Sequence, residues 1–577
     1  MTFTPAPEFT TRPTLKGSFG MSASTHWLAT ATAQSVLERG GNAFDAAVAG
    51  AFVLHVVEPH LNGPGGDMVG IFAPVGGTPT VLMGQGPAPA GASAAAYRAL
   101  GLELVPGTGA LAAAVPGALD AWLLLLRDHG TWELEHVLRF AIDYARDGHP
   151  VLPRVRATIE RMREHFEVHW PSSAALWSQY DGTLPELADT FERLAASPGD
   201  SREARIDAAR LQWREGFVAE AIGEFVRTPH RHSDGGDYAG VITVDDLASF
   251  TASYEDPVSL QFRGHTIVKS GAWGQGPALL QMLAMLDGFD SIDPSDPEGA
   301  HTILEVEKLA LADRDAWFGD GAQTPIAALL SPEYIAERRL LVTDVASLEL
   351  RPGTIDGRAP FMPPLTTGAT GLGEPTVTRL GVVKGDTCHI DVIDRWGNIV
   401  SATPSGGWLQ SSPAIPGLGF CLGTRLQMTW LVEGSPATLT PGRRPRTTLT
   451  PTLVMRDGRP VTALGSPGGD QQDTWQLLYL LRTIVGGYSP QQAIDAPSFH
   501  TTSFPDSFWP RQWEPGGAVV ENRLGAAVID ALRSRGHVVT LAGDWSLGRL
   551  SAVGVDDDGM LWAAANARGN QGYAAGR

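Results

Sequence analysis

Thr387 stands at the start of a strand-like run, behind more than thirty residues rich in Gly, Pro and Thr, and a glycine pair, Gly468-Gly469, lies downstream. A hydroxyl in such a place can act as a nucleophile if a base is near, and paired backbone N–H groups can hold an oxyanion. Taken alone, Thr387 reads first as an ordinary strand threonine. Other chemistries lack their residues. There is no GxxxxGK followed by Ser or Thr, no GxGxxG opening a helix after a strand, no HExxH and no GxSxG. His230 and His232 flank Arg231 in a polar segment that reads as surface loop rather than metal site.

The elements that must position such residues show in the pattern. Residues 18–24 suggest a strand and 25–39 a helix ending at Gly40-Gly41. Asn42 and Asp45 open a helix over 43–57 too uniformly apolar to face water. Strands are expected at 68–73 and 80–83, with successive helices over 115–165. Residues 166–240 read as surface helical hairpins, 241–250 as a turn into a helix and 257–269 as strands. Helices follow at 274–286 and 301–318. A hairpin begins at Thr387, turns at 394–398 and returns over 399–403. Two more hairpins span 450–464 and 551–565. Strands interleaved with buried helices make an α/β layered sandwich.

Composition narrows the partners. The chain has 577 residues, 43% hydrophobic and 18% charged, which suits a globular protein with a large core. Its net charge of −20 argues against nucleic acid and anionic membrane partners. Two cysteines, Cys388 and Cys421, exclude a disulfide framework and suit a reducing compartment. With no signal-peptide pattern at the N-terminus, a cytoplasmic location is expected.

Ordered blocks carry a resemblance. They are GGNAFDAAVAGAFVLHVVEPHLNGPGGD at 40–67, TGALAAAVPGALDAW followed by AIDYARDGHPV, GQGPALLQMLAMLDGFD at 274–290, HTILEVEKLALADRDAWFGD at 301–320, GDTCHIDVIDRWGNIVSATPS at 385–405, RRPRTTLTPTLVMRDG at 443–458 and GSPGG at 465–469. In these the chain resembles the gamma-glutamyltransferase (glutathione hydrolase) family of N-terminal-nucleophile hydrolases. The resemblance implies a four-layer αββα sandwich and a precursor that cuts itself between Asp386 and Thr387. The products would be a large chain, 1–386, ending in a flexible pre-cleavage loop over 352–386, and a small chain, 387–577. It implies no metal and no organic cofactor. It makes Thr387 the nucleophile, Ser405 a hydroxyl bonded to it, and Gly468 and Gly469 the oxyanion hole. Thr403 shares the face of Ser405 by the period-two rule. The physics is consistent: cleavage frees an α-amine with a pKa of about 7.7–8, partly neutral at pH 7 and able to take the hydroxyl proton.

The match breaks at substrate recognition. By the resemblance Thr447 and Thr448 stand at a hydroxyl pair that binds a carboxylate, and Gln427 at a residue that binds the α-amine. Gly407 replaces an Asn, Trp430 an Asp, and Gln85 stands where the family carries an Arg. A buried carboxylate or ammonium without its partner costs several kcal/mol. Arg425 is one replacement for the missing guanidinium, Asp470 and Asp473 are replacements at the amine, and Trp396, Trp408 and Trp430 could line a more apolar acyl pocket. The expectation is an autoprocessed threonine hydrolase acting on γ-glutamyl-like or other small acyl amides or peptides. The alternatives are a non-catalytic binding protein on the same scaffold and γ-glutamyl transfer to amino acids or peptides. The oligomeric state is left open.

Overall fold

The computed structural model describes residues 3–321, 324–366, 387–570 and 572–577. Two seven-stranded antiparallel sheets stack face to face. One runs in the order Tyr573–Gly576, Gly20–Ser24, Ile390–Asp394, Ile399–Ser405, Asp67–Ala73, Thr80–Gly84 and Ser253–Glu255. The other runs Leu15–Gly17, Leu561–Ala565, Ser551–Val555, Arg459–Gly465, Thr452–Arg456, His265–Lys269 and Val258–Phe262. Helices Trp27–Glu38 and Ala43–Val57 cover the first sheet, and Gly276–Leu286, Pro297–Trp317 and Gln472–Leu480 cover the second. This is the expected four-layer αββα sandwich, with one large apolar cluster centred on each helix–sheet pair.

Local chemistry explains the elements nearest the sheet centre. Every residue of Ala43–Val57 is buried. Its N-terminus is closed by a capping box: Asn42 Oδ1 accepts from Phe44 and Asp45 N–H, and Asp45 accepts from Asn42 N–H. Asp394 ties the hairpin turn to that helix, since Oδ2 accepts from Ala43 N–H and Oδ1 from the N–H groups of Trp396, Gly397 and Asn398. The 21-residue helix Pro297–Trp317 is buried almost throughout, and its charged residues find partners inside the protein: Lys308 meets Glu305, and Arg314 meets Asp315 and Asp470. Asp457 and Gly458, both at positive φ, make the two-residue turn between Thr452–Arg456 and Arg459–Gly465.

Three expectations need correction. The hairpin's first strand begins at Ile390, and Thr387 instead makes an isolated bridge across to Ser405. The 166–240 region is helical, but Trp170, Trp177 and Trp213 are buried, so it contributes to a core instead of lying on the surface. A three-stranded sheet of Phe499–Thr501, Gly517–Val520 and Val538–Leu541 was not expected; its middle strand pairs parallel with the last. The scissile pair's Asp386 and the end of the pre-cleavage loop lie outside the described residues.

Candidate active site

Thr387 is buried, and its Oγ1 lies 3.3 Å from Ser405 Oγ as donor. Cys388 N–H donates to Pro404 O at 2.9 Å, which fixes the register. Ser405 ends its strand opposite Asp67. Side chains alternate along a strand, so Thr387, His389 and Asp391 share one face, as do Ser401, Thr403 and Ser405. The two sets meet. His389 Nδ1 is 2.9 Å from Thr403 Oγ1, and His389 Nε2 is 2.8 Å from Asp391 Oδ1. Ser401 and, from the second sheet, Ser551 donate to Asp391 at 2.8 Å each. A polar file therefore runs between the sheets beneath the threonine, with all its members buried.

Cys388 points the other way. Its Sγ donates to Glu58 at 3.0 Å, and Thr25 donates to the same carboxylate at 2.6 Å. Burial, then the Glu58 charge, pushes the thiol well up, so it stays protonated and offers no competing nucleophile.

The glycine pair sits just past the end of strand Arg459–Gly465. A side chain on Gly465 would overlap the His389 ring, so the two sheets approach closely beside the polar file. Gly468 has φ 138° and Gly469 φ 54°. A Cβ on Gly468 would collide with the Trp475 ring, and one on Gly469 would press on Phe508 at 3.1 Å. Glycine is required here by conformation and by space.

The expected recognition residues occupy distinct surroundings. Gln427 Nε2 donates to Thr424 Oγ1 and Gly107 O, and its Oε1 accepts from Trp509 N–H at 3.1 Å. Thr447 N–H donates to Trp273 O at 2.9 Å, and the buried Thr448 Oγ1 has no hydrogen-bond partner among the described residues. Gln85 is buried beside Asp67 and Arg425 around a very small cavity. Trp408 packs with Met428 and Phe508 in a small apolar cluster that reaches Gly469, and Trp430 lies under the Arg511 guanidinium at 3.9 Å.

Three of the suggested replacements are otherwise engaged. Arg425 makes a bidentate pair with Asp67 at 2.6 and 2.7 Å, so two of its nitrogens already serve a carboxylate of the protein. Asp470 accepts from Arg314 and from Ser507 N–H. Burial favours its neutral form, but Arg314 and Arg446 outweigh burial and hold the carboxyl below its usual range. Asp473 gives Oδ1 to Lys269 at 2.9 Å and Thr450 at 2.8 Å. Trp396 sits half-exposed in the hairpin turn, at the far end of the strand from Thr387.

Two groups escaped sequence reasoning. One is the His389–Asp391 pair, whose signal was present as polar residues at every second position on both hairpin strands. The other is segment 504–513, where Ser507 reaches Asp470 and Arg446, Phe508 reaches Gly469, and Arg511 reaches the carbonyls of Gln427 and Thr429. Nothing periodic marks that segment. Among the described residues, His301, Glu305 and His537 lie close enough to share a metal ion. Lys308 at 2.6 Å and Arg351 at 3.0 Å already neutralise Glu305, which makes the place a poor cation site.

Known proteins share this architecture. The solved structure of LmbA2991HD is 53% identical, covers 99% of this chain and 100% of its own, and superposes with a TM-score of 0.94. The Glutathione hydrolase-like YwrD proenzyme of Bacillus subtilis (strain 168) is 29% identical over 96% of this chain and 98% of its own. The Acylase ACY 1 proenzyme of Pseudomonas sp. (strain SE83) is 30% identical over 95% of this chain and 92% of its own. With the gamma-glutamyltranspeptidase family model matching residues 29–576, the sandwich and its hairpin take their place in a lineage of hydrolases, and the chain belongs to the gamma-glutamyltranspeptidase family.

Proposed function

We propose that the chain is a precursor that breaks its own backbone at Asp386–Thr387 and then hydrolyses amides of small acids through an acyl-Thr387 ester. The observation that carries this reading is the placement of Thr387 Oγ1 against Ser405 Oγ at the mouth of the polar file. In maturation the hydroxyl attacks the Asp386 carbonyl carbon, the peptide C–N bond breaks with a proton passing to the new amine, and water hydrolyses the resulting ester. Chains 1–386 and 387–577 remain together as one sandwich. In turnover the free amine of Thr387 takes the hydroxyl proton, the oxygen attacks the substrate carbonyl, and the proton returns to the leaving amine. Water then releases the acid. Ser405 orients the hydroxyl, Thr403 and His389 brace that strand end, and the Gly468-Gly469 turn supplies N–H groups to the oxyanion.

The acyl group is not a standard γ-glutamyl. By the resemblance Gln85 and Trp430 stand where the family's Arg and Asp would hold its charges, and the Trp408–Met428–Phe508 cluster offers apolar contact instead. The similarity to the Acylase ACY 1 proenzyme favours the same reading. Treating processed protein with a panel of acyl p-nitroanilides, quenching in acid and weighing the 387–577 chain tests it. The expected result is an acyl mass adduct on that chain, whereas Thr387→Ala stays one unbroken chain that carries no adduct and does not hydrolyse the anilides. Hydrolysis by Thr387→Ala at the wild-type rate would remove the nucleophile assignment.

A further inference from the structure

Behind the proposed nucleophile lies a buried carboxyl group that no step so far uses. Asp391 is fully enclosed. Its Oδ1 is 2.8 Å from His389 Nε2 and accepts from Ser401 Oγ at 2.8 Å, and its Oδ2 accepts from Ser551 Oγ at 2.8 Å. Among the described residues its one ion-pair partner is that imidazole, whereas Asp67, Asp470 and Asp473 each face an arginine or a lysine. A carboxylate kept in the interior without a full counter-charge is destabilising, and an apolar side chain of like size would pack there without that penalty.

The partners' places give the carboxyl a task. Asp391 lies in the first sheet, on the strand just past Thr387. Ser551 lies in the second sheet, where it stands opposite Gly465. Ser401 Oγ is also 3.0 Å from Leu464 O, next to that glycine. Gly465 ends the strand that leads to Gly468-Gly469, and a Cβ on it would overlap the His389 ring. In the other direction His389 Nδ1 is 2.9 Å from Thr403 Oγ1, on the strand that ends at Ser405. One carboxyl therefore joins the strand end that holds Ser405 against Thr387 to the strand end that precedes the glycine turn. An oxyanion donor acts only at hydrogen-bond distance from the oxygen it serves, so a small change in the spacing of these two ends lowers the rate.

We infer that Asp391 is a positioning residue: holding His389 on one side and Ser401 and Ser551 on the other, it fixes the spacing between the Thr387 hydroxyl and the Gly468-Gly469 turn across the two sheets. Its effect on rate rests on the proposed acyl-threonine chemistry, and the link itself on the buried hydrogen bonds. Asp391 acts through its neighbours, none of which is Thr387, so its loss should change kcat and leave KM alone.

Wild type is compared with Asp391→Leu, Asp391→Asn and Ser551→Ala by the rate of self-cleavage and by anilide hydrolysis. Hydrolysis is expressed per 387–577 chain that takes an acyl adduct, so that unfolded protein does not count as lost rate. Asp391→Leu removes every acceptor, and both rates should fall about 10- to 100-fold, the range for a lost hydrogen bond to a charged group, with KM within about 2-fold of wild type. Ser551→Ala, in the other sheet, should lower both by about 3- to 10-fold. Asp391→Asn keeps an acceptor for His389 and should stay closer to wild type than Asp391→Leu. A wild-type kcat in Asp391→Leu, or a change confined to KM, overturns the positioning role, and a wild-type kcat in Ser551→Ala overturns the link between the sheets. If Asp391→Leu fails to fold, Ser551→Ala carries the decision. Nitrogen NMR of the uncleaved Thr387→Ala chain with isotope-labelled histidine reads the hydrogen bonds without turnover, the His389 signal being assigned by its loss in His389→Gln. Nε2 should carry a proton whose signal shifts in Asp391→Asn, and an Nε2 without a proton, or an unmoved signal, overturns the link at its first bond. The expected shift together with a wild type that neither cuts itself nor hydrolyses any anilide keeps the link and overturns the acyl-threonine reading instead.

Discussion

At the scale of single residues, a hydroxyl that is a weak nucleophile by itself depends on what surrounds it. Ser405→Ala removes the 3.3 Å partner of Thr387 Oγ1. It should slow both self-cleavage and kcat by about 5- to 100-fold, as expected for one lost orienting hydrogen bond, while Ser405→Thr should stay near wild type. A time course of chain appearance on denaturing gels and an initial-rate assay read the two effects, and an unchanged Ser405→Ala would remove the orienting role. The nearness of Thr387 to Ser405 was legible in the sequence because their spacing resembles a known family's. His389 was written there too, two residues past the threonine, but which residue faces it depends on strand pairing across the hairpin. The suggested roles of Arg425 and Asp470 met a different difficulty: a residue's type shows what it could bind, and only its neighbours show that Asp67 and Arg314 already bind it.

At the scale of elements, the proposed site joins a strand end from each sheet with the start of a helix. The Gly468-Gly469 turn leads from strand Arg459–Gly465 towards helix Gln472–Leu480, and its geometry excludes side chains for two different reasons. Gly468→Ala drives a Cβ into the Trp475 ring, a buried side chain with nowhere to go. It should lower stability by about 1–3 kcal/mol, the usual cost of overpacking, and abolish detectable turnover. Gly469→Ala meets only the edge of Phe508 but must hold φ 54°. It should cost about 1–2 kcal/mol while retaining partial activity. Chemical denaturation and kcat on the best anilide separate the two, and equal behaviour would mean that the turn does not discriminate as described. Most strands and helices were legible from alternation and caps, within a few residues of their ends. The parallel pairing of Gly517–Val520 with Val538–Leu541 was not, because a crossover of that kind leaves no local mark.

At the scale of the whole molecule, burial of polar groups sets the response to pH. His26 and His500 are brought down to about 3, and His55 and His232 to about 4, in each case chiefly by burial. These imidazoles are neutral in the fold, while in the unfolded chain they take a proton below about 6.5. Their contribution is complete above that pH and is lost as pH falls towards 4, by up to about 2 kcal/mol each at pH 5. Glu307 acts in the opposite sense. Burial raises it to about 8, so its contribution is present below the ordinary carboxyl range and is lost as pH climbs through 8. Imidazoles held down by burial outnumber carboxyls raised by it, Asp67, Asp313, Asp473 and Asp506 among the latter, and that leaves the fold acid-labile. Calorimetry should show Tm falling by about 10 °C or more between pH 7 and 5, and a flat profile would contradict the buried neutral histidines. Glu307→Gln should gain most above pH 8. No helix among the described residues is long and apolar enough to cross a membrane. The division of the molecule at one peptide bond is the claim on which turnover depends, and the mass of the purified protein tests it most directly. Two species of roughly 41 and 20 kDa are expected, in proportion to 386 and 191 of the 577 residues of a 61.3 kDa chain, with Thr387 at the new N-terminus. A fully active protein that weighs 61.3 kDa as a single unbroken chain would contradict it.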